Sequence, residues 1–547
     1  MSNTLTVVRL LNVPLENDYK HTFYFNDKSE QLEYFQNVTP IKTMANCSYQ
    51  RKDKFICVDA CIDDIITANY VMYKNEAHSS KWYYAFIEKM EYKNDNRTDV
   101  YIKTDVLQTW LREYNFKSSY IEREHVKDDT VGLHTFPEQL ETGDYIVNSR
   151  NANESLLVKT FILASTVDLN KEEDTLTGYK YPPVSGKLYN GIYSGVKYYK
   201  VTESQCNAII VDLAKAGQSD AIISIFTCPS LFVSSTIPEG GFYPEVDASD
   251  DVIKKEWVNT FGIDEEQPLK PKKINGYVPN NNKLLCYPYS YMLMSNNAGG
   301  SAIYKYELFN HPENNEKCDF KIYSTLCAGM SIRLIPHYYN GSEYNIDEGL
   351  NLGKFPVCNW NTDVYTNWLT QNGVNIGLSL IGSTAQVGLG VGLGVASGGL
   401  GLAVSGENIA SGVMGIASTL GEIYSHSKQP PQAEGNINSG DVTFSAGYLT
   451  FTAHHMSIKK EYAKIIDGFF DMYGYKVNEV KKPNVNHRAH YWFTKTIDCN
   501  IDGLIPMEDL QEIKNIYNKG VTFWRSPSRV GDYSLAESNI IVDQDIT

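Results

Sequence analysis

The sequence predicts a mainly β, multidomain protein with some α-helix and one long apolar, glycine-rich loop. Along most of the chain, short runs of β-branched and aromatic residues alternate with polar ones between clusters of Asn, Asp, Pro and Gly, the pattern of half-buried strands joined by turns. The 547 residues supply material for three or four domains, each with its own core. No Asp, Glu, Lys, Arg or His occurs between Asp363 and Glu407, in a chain whose formal net charge is -16.

Taken in order, residues 4–15 and 21–26 read as strands, with Pro14 favouring a strand end. KWYYAFIEKMEYKNDNRTDVYIKTDVLQTW (81–110) holds two alternating runs separated by Asn94, Asp95 and Asn96, which predicts a long hairpin followed by a short helix over 105–110. Between 150 and 355, apolar runs such as SLLVKTFILAS and AIISIFTCPSLFVSS predict β-rich domains with few helices. One helix is expected over 207–216, with Ile209, Ile210 and Leu213 inward, and a hairpin is expected to turn at Asn340-Gly341. Near the end, VTFSAGYLTFTAHHMSIKKEY predicts a strand feeding a helix. Ile458, Tyr462, Ile465, Ile466, Phe469, Phe470 and Tyr473 recur at helical spacing, and Gly474 is the stop. A second helix opens after Pro506, with Leu510, Ile513 and Tyr517 inward and Gly520 as its end.

The uncharged stretch, residues 371–421, is too long and too apolar for an ordinary surface loop: it must be buried or enter a membrane. A transmembrane helix needs about 20 mainly apolar residues at a rise of about 1.5 Å, and this stretch offers roughly 40, with Gly398-Gly399 near its middle. Small residues recur at i, i+4 (Gly373 with Gly377, Gly388 with Gly392, Gly390 with Gly394), a spacing that lets helix backbones approach closely in lipid. In water each glycine costs a helix about 1 kcal/mol relative to alanine. The expectation is therefore an irregular segment in the soluble protein that becomes a helical hairpin in a bilayer; a flexible linker and a buried core hairpin are the competing readings. A phosphate-binding loop is disfavoured, because GLGVGLG is followed by no Lys-Ser or Lys-Thr.

The acidic balance disfavours a protein that grips nucleic-acid phosphates, although it suits a surface past which DNA slides without sticking. Ten cysteines without a CxxC pair suit reduced thiols in a cytoplasmically synthesised chain. The first twenty residues place Arg9 inside the apolar run and show no small-residue cleavage site, which argues against a signal peptide. His487 and His490, with His454 and His455, are the metal candidates, but His-x-x-His without acidic partners nearby reads better as surface or core histidines. Asp63 and Asp64, Glu122 and Glu124, and Asp128 and Asp129 supply adjacent carboxylates that a glycoside hydrolase could use, and charged turns explain them equally. Neither GxSxG nor HExxH occurs. Lys481 and Lys482 read as a solvated pair beside a turn.

VPLENDYKHT, KWYYAF, DVLQTW, YIEREHVKDD and HTFPEQLETGDYIV, followed near the C-terminus by FFDMYGYKVNEVKKPN, FTKTIDCNI and DLQEIKNIYNKGVTFWR, resemble in this order the distal tail tube or tail knob protein of small short-tailed (podovirus-type) phages of Gram-positive bacteria with protein-primed DNA replication. The resemblance implies tail-tube-like β-barrel domains assembling into a hexameric tube. It also implies a virion tail location, a lumen that conducts double-stranded DNA without binding it specifically, and contact with an upper tail or collar protein and other tail components. Residues 1–150 would be the tube-forming part, 151–270 and 271–365 two β-rich middle domains, 366–432 a membrane-active loop, and 433–547 a C-terminal part packing with the first. That loop would plug the tube and then enter host membrane lipids as a pore, through Val374, Ile376, Leu378, Leu380, Ile381, Val387, Leu389, Val391, Leu393, Val395, Leu400, Leu402, Val404, Glu407, Ile409, Val413, Met414, Ile416 and Leu420. No catalytic, cofactor or metal residue is expected on this reading. The alternative is a tail-associated enzyme that degrades glycan or peptidoglycan.

Overall fold

The computed structural model describes residues 4–542 apart from 51–53, 75–80, 153–155, 157–158, 172–179, 185–186, 190–191, 219–220, 238, 247–254, 261–269, 325–330, 353–358, 362–449 and 486. The apolar stretch, and with it every residue from Val374 to Leu420 including Glu407, lies outside the described residues. The described chain is mainly β, and it divides into two compact units. The first comprises Met1–Asp144, Gly276–Cys286 and Lys459–Thr547; the second comprises Tyr145–Asn275 and Tyr287–Ile458.

The first unit opens with a closed six-stranded antiparallel barrel. Its strands follow the order Thr4–Leu11, Lys42–Gln50, Phe55–Val58, Arg97–Thr104, Trp82–Asn94 and Tyr70–Lys74, and the last pairs back onto the first. The long hairpin is where alternation predicts it, Trp82–Asn94 against Arg97–Thr104, and Asp105 then caps the short helix Val106–Thr109 by accepting from the Leu107 and Gln108 amides. A five-stranded sheet in the same unit runs His21–Phe23, Val521–Trp524, Tyr491–Asp498, Ser119–Glu124 and Tyr475–Lys481, so both ends of the chain contribute to it. The helices Lys460–Tyr473 and Met507–Lys519 stop at Gly474 and Gly520, both at positive φ.

Two details differ from the sequence expectation. A helix, Lys28–Asn37, follows the second strand; Asp27 accepts from the Ser29 and Glu30 amides, and Glu30 reaches back to the Asn26 amide. In Lys460–Tyr473 the buried stripe is Ala463, Ile466, Asp467 and Phe470, while Ile465 is 69% exposed. Ile458 belongs to the preceding strand, Thr452–Ile458, so helical spacing counted from it points about one position too far round.

The second unit holds a four-stranded sheet (Tyr145–Ala152, Thr452–Ile458, Ser290–Ser295, Ser301–Tyr304), a six-stranded sheet centred on Lys197–Val201 and Lys159–Ser165, and a five-stranded sheet centred on Asp319–Ser324 and Ile332–Tyr339. The helix Glu203–Lys215 buries Ile209, Ile210 and Leu213. Ile332–Tyr339 returns as Ser342–Tyr344 through Asn340-Gly341, both at positive φ, as a tight hairpin turn requires. One apolar cluster runs through this unit, from Ile162 and Phe226 to Met292, Phe320 and Leu334.

Candidate functional site

What the barrel can do follows from its filling. Val8, Cys47, Ile56, Val71, Ala85 and Val100, one from each strand, belong to a single buried cluster with Leu5, Leu10, Val58 and Ile102. The space that six strands reach in common is their interior. Barrels of about eight strands are only just wide enough for side chains to fill, and six strands enclose less. This barrel is filled by its own side chains and has no bore of its own.

Its outside is buttressed by the C-terminal part. Leu11, Tyr70, Met72, Tyr84 and Phe86 join Trp492, Ile513, Ile516, Tyr517 and Phe523 in a second buried cluster. Polar contacts fix the register: Trp110 Nε1 donates to Asp509 at 2.8 Å, the Tyr114 and Tyr517 hydroxyls lie 3.1 Å apart, and Lys103 pairs with Glu512 at 2.9 Å. Lys81 sits 3.6 Å above the Trp110 ring. Together these tie the barrel to the C-terminal helix across some 400 residues of sequence.

A buried polar seam forms the other distinctive feature of this unit. Asp467, on the inner face of its helix, accepts from the Tyr277 hydroxyl (2.6 Å), the Asn280 amide (2.8 Å), the Asn281 amide (3.1 Å) and Asn281 Nδ2 (2.8 Å). Asp471, one turn on, accepts from Asn281 Nδ2 at 2.7 Å. Asp129 accepts from the Asn282 amide at 3.0 Å and the Tyr475 hydroxyl at 2.6 Å. Glu138 takes both Arg123 and Lys283, together with the Lys476 amide at 2.9 Å. The segments 125–144 and 276–286 have few ladder hydrogen bonds of their own, so side-chain carboxylates satisfy their backbone instead. Burial raises the Asp129 and Asp471 carboxyls above their ordinary range and lowers Lys283, despite its partner Glu138.

The sequence candidates fall into this scaffold one by one and do not converge. Glu124 is fully buried, pairs with Lys481 at 2.8 Å and accepts from Asn484; burial raises its carboxyl. Glu122 pairs separately with Lys495 at 2.8 Å. Asp128 closes a turn onto Thr130 while Asp129 serves the seam, and Asp63 and Asp64 sit in the first turn of the short helix Ile62–Ile65. Lys481 is thus an ion-pair partner, where the sequence reading had it solvated; Lys482 is exposed. His487 is buried, and burial beside Arg488 pushes it down to about 3, so it is a neutral core imidazole. His490 meets Ser538 at 3.1 Å. His455 lies end to end with Tyr306, the ring planes parallel and the Tyr306 hydroxyl 2.6 Å from its Nδ1, and His454, its neighbour in the strand, points to the opposite face. Among the described residues no three His, Cys, Asp or Glu side chains are arranged to hold a metal, and the cysteines are free thiols. No described helix is long and apolar enough to cross a membrane. The seam had no sequence signal, because its members come from three distant segments.

Residues 3–115, the barrel and its short helix, match the caudoviral major tail protein N-terminus, which defines the class: a phage tail protein. Residues 254–538 match the family described as Bacillus phage phi29 tail knob protein gp9, C-terminal domain, and the chain belongs to this family of tail knob proteins, components of the virion tail. Over 97% of its length the chain is 28% identical to tail knob protein gp9 of Bacillus phage PZA and 27% identical to that of Bacillus phage phi29, covering 98% of each. The solved tail knob protein gp12 of bacteriophage C1 has the same fold, with a TM-score of 0.61 at 14% identity, over 98% of this chain and all of that one.

Proposed function

We propose that this tail knob protein assembles as a homohexamer into the distal conduit through which the phage genome is ejected. In this reading residues 1–150 and 433–547 form the tube body, and the loop 366–432 plugs it before infection, then inserts into the host cytoplasmic membrane as a pore. The observation that carries the conduit is the filled barrel: a chain whose barrel interior is packed with side chains can enclose a DNA-sized passage only between copies. A net charge of -16 keeps such a passage from adhering to phosphates. An apolar stretch of roughly 40 uncharged residues per copy supports the plug, since several copies can bury one another's apolar surface inside a lumen. The protein acts without catalysis in this reading; the paired carboxylates that a glycosidase would need are each spent on separate structural anchors. Its other contacts are an upper tail or collar protein, further tail components, membrane lipids and DNA in transit.

Electron microscopy of the purified protein tests the assembly: six-fold tubes are expected, and a monodisperse monomer at virion-like concentrations would refute it. Dye release from liposomes without turnover of purified peptidoglycan is expected; turnover without release would favour the enzyme.

A further inference from the structure

In the second unit Ser235–Thr236 pairs with Glu245–Val246, and the chain leaves the apolar core at Val233 and re-enters it at Val246. Between these points the hairpin end lifts Ile237 and Phe242 into solvent, 67% and 77% exposed, and no other aromatic ring among the described residues is as exposed as Phe242. Exposed apolar side chains scattered singly are ordinary on a protein surface. Here, however, the backbone that carries them is prepared as well. Asn170 Oδ1 accepts from the Phe242 amide at 2.9 Å and from the Tyr243 amide at 2.7 Å, while Asn170 Nδ2 donates to the Tyr243 carbonyl at 2.9 Å. The Pro244 carbonyl accepts from the Lys200 amide at 2.9 Å, and Pro244 has no N–H to satisfy. From Phe242 to Pro244, therefore, no backbone N–H depends on water. The charges behind the end are paired too: Lys197 bridges Asp168 at 2.8 Å and Glu245 at 2.7 Å, and Asp168 accepts from the Asn170 amide, which holds the clamp in place.

Entry into an apolar phase is opposed chiefly by backbone groups and charges that lose their water. Asn170 removes the backbone part of that cost for the residues around Phe242, and the Phe242 and Ile237 side chains supply the gain. A projecting end needs a matching pocket in a protein partner, whereas fluid lipid conforms to it. Tyr243, half-buried next to Phe242, is of the type favoured where an apolar layer meets water. Glu239, exposed on the same end, limits the depth, because its carboxylate has to stay among the headgroups. We propose that the hairpin end carrying Ile237 and Phe242 docks shallowly at the headgroup–acyl boundary of a lipid bilayer, a contact separate from the pore role proposed for residues 366–432.

The test mixes full-length Phe242→Trp protein with phosphatidylcholine vesicles whose acyl chains carry bromine, a quencher of tryptophan. The seven native tryptophans set the baseline, measured on the natural protein. The added tryptophan is expected to shift to the blue and to be quenched saturably, and to stay so in high salt, because the contact is apolar. Adding Ile237→Ser should raise the lipid concentration at half-quenching about tenfold, and adding Glu239→Gln should lower it. All three positions are exposed, so the fold should tolerate each change. Quenching no greater than in the natural protein, or a titration that Ile237→Ser leaves unmoved, would overturn the proposal. An absent lipid signal together with an altered oligomer in Phe242→Ser on gel filtration would assign the end to a protein partner instead. Dye release reads residues 366–432 independently: quenching without release contradicts the pore alone, and release without quenching contradicts this contact alone.

Discussion

Removing the Asp467 carboxylate should release the segment Gly276–Cys286 from the first unit. Asp467→Ala takes away an acceptor that is 1% exposed and serves four donors, two of them backbone amides in the released segment. Hydrogen bonds to a charged acceptor contribute about 1.5–3 kcal/mol each, but members of one network do not add, and stripping one partner from a buried charged network costs about 3–5 kcal/mol in all. Asp467→Asn keeps one oxygen and turns an amide toward the remaining donors, so roughly half that loss is expected. The chain has two units, so a single unfolding free energy is ill defined, and hydrogen exchange at the affected amides is the better assay. With local opening governing exchange, protection at Asn280 and Asn281 should fall about 150- to 5,000-fold in Asp467→Ala. The exposed Ile465→Ala should leave it unchanged. A loss below about tenfold, or an equal loss at barrel strands such as Tyr70–Lys74, would show that the carboxylate is not what holds this segment.

Burial lifts the Asp105 carboxyl to about 6 from 3.8. The folded chain therefore keeps this proton to higher pH than the unfolded chain does. Its contribution to stability falls as pH rises from about 4 to about 6, and the penalty above that approaches 3 kcal/mol at about 1.36 kcal/mol per pH unit. Asp105→Asn retains an oxygen for the Leu107 and Gln108 amides, so its denaturation midpoint should match the natural protein's at pH 4 and exceed it at pH 7; a constant gap would refute the assignment. Gly474→Ala should yield no soluble first unit, because its Cβ would overlap the Glu124 carbonyl at a positive φ; normal expression and gel filtration would contradict this. If the proposed hexameric conduit with its membrane loop is right, deleting residues 374–421 should preserve the oligomer and abolish dye release from liposomes, and aggregation of the deletion protein would mark the stretch as core. Glu407→Gln should speed release at pH 7, since an ionised acid near the centre of a membrane helix costs about 2.5–3.5 kcal/mol. An unchanged rate with altered ion selectivity would place Glu407 in water.

What could be read from the sequence was local. The long hairpin, the turn at Asn340-Gly341 and the helix ends at Gly474 and Gly520 are each set by residues a few positions apart, and periodicity or φ preference exposes them. The helix Lys28–Asn37 carried only its cap as a signal, Asp27 with Glu30, because its inward apolar residues are few. The misplaced face of Lys460–Tyr473 arose from counting through a strand end. The seam was invisible for a different reason. Adjacent pairs such as Glu122 and Glu124, or Asp128 and Asp129, suggested paired acids, yet each member answers a separate demand for charge or backbone donors raised by segments far away in sequence. Those demands exist only once the chain is folded. The stretches YIEREHVKDD and FFDMYGYKVNEVKKPN, which carried much of the family resemblance, supply Arg123, Glu124, Asp129, Asp471 and Tyr475 to these anchors.

The distribution of the first unit along the chain imposes an order on its completion. All six barrel strands lie within the first 104 residues, and the ladder that closes the barrel runs entirely among them. The five-stranded sheet is different: His21–Phe23 pairs in parallel with Val521–Trp524, and Trp524 Nε1 donates to His21 across a separation of 503 residues. Closing such a loop costs entropy that no local contact offsets, so the barrel can form early while its buttress waits for nearly the whole chain. Until then Trp110, Tyr114 and Phe116 lack Asp509 and Tyr517, their partners in the finished unit. A chain truncated before residue 507 should accordingly retain barrel strands but expose this aromatic surface. Dye binding by such a fragment, reversed when residues 507–542 are supplied as a separate peptide, is the expected outcome; a fragment that binds no dye would mean that the barrel also depends on the C-terminal helix to close.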